Sequence, residues 1–237
     1  MYKLIITLLV LSTPLTSAKT LGDIDVKSPI QTKPQKNDLW KSTSDNKEQP
    51  PAKPKKPLPD GVKKLQDYLN KLTTISADFV QTSPQGNLAG GKFKLSRPGK
   101  FKWQYNPPVP VLIMANYGEI VYYDKELDEI TYINQNDTVA SILSKKVIDL
   151  SAEDIEIKKY KQHKNNIELA LNNPQKPDEV LNLIFSKNPI ILQKMEITNS
   201  SNETTSIHFN NMQFGKPIAD KEFIFKNPRM FGRNANN

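Results

Sequence analysis

The sequence contains no cysteine. That excludes a disulfide, a thiolate nucleophile, a zinc–cysteine site and a lipid-anchored cysteine. Its two histidines, His163 and His208, cannot supply a three-histidine metal site. There is no G-x-S-x-G elbow, phosphate-binding glycine loop, H-E-x-x-H or calcium loop. Catalysis therefore has little to work with, and neither enzymatic activity, a metal nor a cofactor is expected. A long apolar run is missing too. Leu4–Leu11 is eight residues long, far short of the roughly 20 that a membrane-spanning helix needs.

What is present is basic charge and proline. There are 33 Lys+Arg against 25 Asp+Glu, a net charge of +8, and 18 prolines. Lys3, the Leu4–Leu11 run, Pro14 and the small residues Thr16-Ser17-Ala18 read as a secretory signal over residues 1–18. The mature chain is then expected outside the cytoplasm, soluble, and without a lipoprotein signal because no Cys follows. Residues 19–59 form a Pro/Lys-rich segment with too little apolar surface to offset its chain entropy, and are expected to be disordered. Up to residue 59 there are ten Lys and five acids, a net of +5; from residue 60 onward there are 23 basic and 20 acidic residues, a net of +3. The basic balance that would invite a nucleic-acid reading thus lies mostly in the signal and tail. For the tail itself the readings are a solvated tether or attraction to an anionic membrane surface.

Residues 60–237 read as the folded domain. Asp60 is a candidate cap for a short helix with Leu65, Tyr68, Leu69 and Leu72 on its apolar face. After Thr74 the period changes to two. Strands are expected near 75–82, 91–96, 100–105, 111–115, 119–124, 129–133, 155–160, 166–171, 179–185, 190–198 and 204–213, separated by turns such as Ser83-Pro84-Gln85-Gly86 and Asn116-Tyr117-Gly118. Phe101, Trp103 and Tyr105 alternate with Lys100, Lys102 and Gln104, giving a strand with an aromatic face and a basic face. That pattern has a superficial likeness to a base-stacking strand, but near charge balance and export argue against a nucleic-acid partner. Eleven short strands predict a mainly β fold, an antiparallel meander curling toward a barrel. The first helix and a second over Thr138–Lys146 are expected to cover its concave face. Gly90-Gly91 is read as a pair explained by a turn, the acidic cluster Asp124, Glu126, Asp128 and Glu129 as a solvated hairpin, and His208 as a strand surface residue.

The stretch from Gly90 to Pro110, with Arg97-Pro98-Gly99-Lys100-Phe101-Lys102-Trp103 at its centre, resembles the periplasmic outer-membrane lipoprotein carrier protein (LolA) family. Supporting pieces occur in family order: Ser76-Ala77-Asp78-Phe79-Val80-Gln81, Gly118 with Tyr122 to Leu127, Thr138 to Leu143, and Glu222 to Pro228. The resemblance covers residues 61 to about 231; the segment 19–59 lies outside the family's pattern. It implies a half-open antiparallel β-barrel of about eleven strands with an α-helical lid. It also implies a monomeric periplasmic chaperone, not an enzyme. Such a protein takes triacylated lipoproteins from an ATP-driven inner-membrane release complex and hands them to an outer-membrane acceptor lipoprotein. A related half-barrel that senses lipids or lipoproteins and regulates an envelope stress response is the alternative; it would carry a second folded domain, for which this sequence shows no signal.

Each buried methylene contributes about 0.8 kcal/mol, so one long acyl chain of about fifteen methylenes resists water by roughly 12 kcal/mol. Three such chains exceed the roughly 18–21 kcal/mol ceiling of non-covalent affinity. A carrier must therefore bury them only moderately well, behind a cover that moves. Phe93, Leu95, Phe101, Trp103, Tyr105, Ile142 and Leu143 are candidate acyl-chain liners. Which strand face looks inward stays open at this level, and ordinary core packing is the competing role for each. For Arg97 the residues alone suggest a surface Arg at a turn. The resemblance implies instead a latch, an Arg that hydrogen-bonds backbone carbonyls of the lid.

Overall fold

A computed structural model describes residues 57–231. The expected signal (1–18) and nearly all of the Pro/Lys-rich segment (19–59) lie outside the described residues, as do residues 232–237.

Helix α1 spans Asp60–Lys71 and buries Val62, Leu65 and Leu69 along one stripe. Asp60 is not its cap. The cap position falls on Pro59, whose carbonyl accepts from Lys63 N at 3.0 Å, and no side chain caps this end. Proline suits the position because its fixed φ matches the helix entry. Asp60 in the first turn and Lys71 in the last still oppose the helix dipole favourably.

All eleven expected strands occur: β1 Thr74–Thr82, β2 Leu88–Ser96, β3 Lys100–Tyr105, β4 Val111–Asn116, β5 Glu119–Asp124, β6 Glu129–Asn134, β7 Glu156–Gln162, β8 Asn166–Asn173, β9 Lys176–Lys187, β10 Ile190–Thr198 and β11 Thr204–Phe214. They form one antiparallel sheet in the order β6-β5-β4-β3-β2-β1-β11-β10-β9-β8-β7. Neighbours in sequence are neighbours in the sheet except β6 and β7, and the first strand pairs with the last, Phe79 opposite Phe209. The sheet is open, since β6 and β7 are its two edges.

This order dictates where the cover goes. β6 and β7 are consecutive in sequence but lie at opposite edges, so the connector 135–155 must cross from one edge to the other. Alternation then sorts the faces. Ile75, Ala77 and Phe79 of β1, Phe93 and Leu95 of β2, and Phe101, Trp103 and Tyr105 of β3 are buried, while the intervening Lys92, Lys94, Lys100 and Lys102 stand on the other side.

Within the connector, Val139–Ser144 is a 3-10 helix rather than the expected α-helix over Thr138–Lys146. The reason is visible in the spacing Thr138, Ser141, Ser144. Each hydroxyl bonds the carbonyl three residues back, Thr138 to Gln135 O at 3.3 Å, Ser141 to Thr138 O at 2.7 Å and Ser144 to Ser141 O at 2.8 Å. A three-residue turn stacks these hydroxyls in one column, and hydroxyl side chains compete for the backbone bonds an α-helix would use.

Gly90-Gly91 is not explained by a turn. Both lie inside β2, and a Cβ on Gly91 would sit 2.3 Å from Gln104 O and 2.7 Å from the Phe79 ring. Glycine is needed there because that ring lies against the strand.

Candidate functional site

Between the sheet, α1 and the connector lies an apolar pocket with about 420 Å³ of empty space, part of it continuous with solvent. Its floor is β-sheet: Ile75, Phe93, Leu95, Trp103, Leu192, Met195, Phe209 and Met212. Its roof is Leu69 and Leu72 from the end of α1 with Leu143 and Ile148 from the connector. Among the described residues the only charged one in its lining is Arg97. The floor is built around an aromatic cluster, with ring centroids 4.2 Å apart for Phe93 and Trp103, 5.5 Å for Phe93 and Phe209, and 4.9 Å for Phe79 and Trp103. Offset and edge contacts of this kind hold aromatic rings rigidly. Methionines 195 and 212 add flexible, polarizable lining that adapts to irregular apolar ligands.

The roof is fastened by polar bonds. Arg97, just after β2, donates Nε to Lys145 O at 2.8 Å and Nη1 to Leu72 O at 3.1 Å and to Leu69 O; Nη2 donates to Asn70 Oδ1 at 3.3 Å. One fork thus bridges the connector, the end of α1 and the sheet, a task that five fixed donors suit and a Lys ammonium does not. Leu69 and Leu72 offer carbonyls at a helix C-terminus, where a cation is favoured by the dipole. Half-burial pulls the guanidinium down from its ordinary value by desolvation, and it remains charged. Two further bonds fix the connector ahead of this point: Gly99 N to Ser144 O at 2.8 Å and Gln135 Nε2 to Ser144 Oγ at 2.7 Å.

Of the seven candidate liners, Phe93, Leu95, Trp103 and Leu143 line the pocket. Phe101, Tyr105 and Ile142 are buried but lie outside its lining. Tyr105 donates its hydroxyl to Gln81 Oε1 at 2.6 Å, a bond closed off within the core, and burial pushes its pKa up. Leu69, Leu72, Ile75, Ile148, Leu192, Met195, Phe209 and Met212 were missed. The helical face of α1 already marked Leu69 and Leu72, but the others depend on β1 pairing with β11 and on the path of the connector.

The other side of the same strands is covered among the described residues. The 3-10 turn Asp220–Phe223 crosses it: Glu222 pairs with Lys94 at 2.9 Å and Lys102 at 3.6 Å, and Asp220 with Lys100 at 2.6 Å. The aromatics of β3 face the opposite way and are at most 5% exposed, so they are unavailable for stacking on bases. In the acidic hairpin, Asp124 Oδ1 accepts from Glu126 N and Leu127 N at 2.9 and 3.1 Å, and Asp128 pairs with Arg229 at 3.0 Å. Among the described residues there is no group of three or more acidic or His residues that could hold a metal. His208 is an exposed outer-face residue of β11.

The fold and cavity define a class: an open antiparallel sheet with an apolar pocket under a hydrogen-bonded cover. Residues 70–226 match the family model for the outer membrane lipoprotein carrier protein LolA, and the chain belongs to that family. It is similar to an outer-membrane lipoprotein carrier protein of Chromobacterium violaceum, 28% identical over 178 residues that cover 71% of this chain and 84% of that protein. It is also similar to the uncharacterized protein RP864 of Rickettsia prowazekii, 25% identical over 168 residues, 70% of this chain and 77% of that one. Among solved structures, the LolA superfamily protein NE2245 of Nitrosomonas europaea aligns with a TM-score of 0.39 at 8% identity, covering 69% of this chain and 97% of that one.

Proposed function

We propose that this protein is a periplasmic chaperone that takes the acyl chains of lipoproteins into the pocket beneath Arg97. It receives triacylated lipoproteins from an ATP-driven inner-membrane release complex and delivers them, as a monomer, to an outer-membrane acceptor lipoprotein. It performs no chemistry of its own; the energy for extraction comes from the release complex. The observation that carries this reading is the pairing of an apolar pocket with a roof tied down by polar bonds to backbone atoms. Acyl chains entering such a pocket replace empty space and roof contacts with their own apolar contacts. The polar fasteners reform with water at modest net cost, since an exchanged hydrogen bond is worth about 0.5–1.5 kcal/mol and one to a charged group about 1.5–3 kcal/mol.

A signal over 1–18 would place the chain in the periplasm, and the absence of Cys keeps it free of its own lipid anchor. The Pro/Lys-rich segment 19–59 would act as a tether that favours anionic surfaces. Phe93, Leu95, Trp103 and Leu143 would contact acyl chains directly, with Arg97 as the latch.

The test is direct. Inner-membrane vesicles bearing a lipoprotein and the release complex are incubated with the protein and ATP. The expected result is a soluble one-to-one complex of protein and lipoprotein. No lipoprotein in the soluble fraction would discard the carrier reading.

A further inference from the structure

The geometry points to Asn70 as the positioning residue of the gate, the side chain that couples the hinge of the connector to the Arg97 latch. Its purpose rests on the carrier reading above; its physical basis does not.

Asn70 lies in the last turn of α1, half-buried. Its amide pairs with both backbone polar groups of one connector residue. Nδ2 donates to Ile148 O at 2.8 Å and Oδ1 accepts from Ile148 N at 2.9 Å. The same Oδ1 accepts from Arg97 Nη2 at 3.3 Å. One helical turn earlier, on the same face, Gln66 Oε1 accepts from Leu150 N at 2.7 Å. Residues four apart on a helix thus grip alternate residues of the connector, whose Ile148 and Leu150 side chains are almost fully buried.

This rail divides the connector. Beyond Lys145 the chain is fastened to α1, and α1 is itself anchored to the sheet. Tyr68 accepts from Leu192 N at 2.9 Å and packs edge-on against Phe185. Up to Lys145 the connector is held by Arg97 at Lys145 O and by Gly99 at Ser144 O, Gln135 Nε2 braces Ser144 Oγ from within it, and its own 3-10 turns are short. The hinge therefore falls at Lys145–Lys146, between the rail and the lid. Asn70 sits on both sides of it, holding Ile148 and orienting the guanidinium whose Nε reaches Lys145 O. Without Asn70 the Arg97 fork loses its one side-chain acceptor, and the hinge loses the two bonds that set its starting point.

The experiment uses the full chain as wild type, Arg97→Leu, Asn70→Ala, Asn70→Asp and the Arg97→Leu/Asn70→Ala double variant. Two readouts are taken: dissociation of anthroyloxy palmitate, and amide hydrogen exchange. Arg97→Leu and Asn70→Ala should each speed probe dissociation by about tenfold, from the loss of a charge-assisted bond. The double variant should be no faster than either, because the two residues act through one latch. Asn70→Asp keeps the acceptor for Arg97 but loses the donor to Ile148 O. It should therefore hold the probe nearly as long as wild type while the hinge amides exchange faster. In Asn70→Ala and Arg97→Leu alike, amides of residues 144–150 should lose protection while those of Leu169 and Leu183 in the sheet keep theirs. A residue that only stabilised the fold would loosen both sets together. Multiplying effects in the double variant, or wild-type dissociation in Asn70→Ala, would overturn the coupling. If no variant binds the probe, the acyl-binding reading fails, and the exchange pattern alone still decides whether Asn70 couples hinge and latch.

Discussion

Strands β2 and β3 are covered twice, once on each face, and the two covers are built on different physics. On the inner face, Phe93, Leu95 and Trp103 look into the apolar pocket, and the roof above it is tied by hydrogen bonds to backbone carbonyls and a side-chain amide. On the outer face, Lys94, Lys100 and Lys102 meet Glu222 and Asp220, and the strap that carries those acids buries Phe223 to 1% exposure. Asn116 Nδ2 then donates to Phe223 O at 3.2 Å, and Phe225 packs edge-on against Tyr123 at 5.5 Å. Under the proposed carrier role, the difference separates a cover built to open from one built to stay. Polar fasteners exchange for water at small net cost, while withdrawing a packed aromatic leaves a cavity that nothing refills.

The largest effect that tests this contrast is Phe223→Ala. Emptying a fully buried aromatic site should lower unfolding free energy by about 3–5 kcal/mol, read as a fall in the urea midpoint. Exchange of an apolar probe with the inner pocket should be unchanged at temperatures where the variant is folded. Faster probe exchange without a stability loss would make the outer strap part of the gate and erase the distinction between the covers.

How much of this was readable in advance follows from how local each feature is. The strands were legible because alternation is a local signal: Phe101, Trp103 and Tyr105 against Lys100 and Lys102 fix both a strand and its two faces. The pocket was half legible for the same reason. Phe93, Leu95 and Trp103 belong to a hairpin visible in the sequence, whereas Phe209 and Met212 enter the floor only because β11 returns to pair with β1, a contact across more than a hundred residues. Tyr105 and Phe101 share a face with Trp103 yet miss the pocket, because face alone does not say how far along a strand the cavity runs. The lid segment is a 3-10 helix rather than an α-helix because the hydroxyls of Thr138, Ser141 and Ser144 take backbone carbonyls three residues back. Gly91 was misread because the ring that demands it, Phe79, comes from a neighbouring strand. Asp60 missed the cap by one residue, with proline taking the position.

Arg97→Leu comes next in size. Its lost bonds should cost about 1.5–3 kcal/mol of stability, less than Phe223→Ala. Its consequence should appear in function rather than in folding: altered retention of a loaded lipoprotein or altered hand-over to the acceptor. Loading and transfer equal to wild type would remove Arg97 from the gate and leave the roof as ordinary packing.

The smallest expected effect is a pH dependence that only one cover has. The Lys94 ammonium, first through its hydrogen bond and then its charge, holds the Glu222 carboxyl below its ordinary value of 4.5, with Lys102 adding to the same direction. A carboxyl lowered in the native state contributes stability that is fully present above its unfolded value and is lost as pH falls through the native one. Each partner keeps 33% of its side-chain surface exposed, so the contribution is small and screened by salt. Wild type should therefore exceed Glu222→Gln in urea midpoint at about pH 6, and the gap should close toward about pH 3. Arg97's partners, three carbonyls and an amide oxygen, do not titrate, so the effect of Arg97→Leu on probe exchange should stay constant over the same interval. A gap for Glu222→Gln that persists at the acid end would mean that the strap is held by Phe223 and its neighbours alone, and the ion pairs would drop out of the comparison.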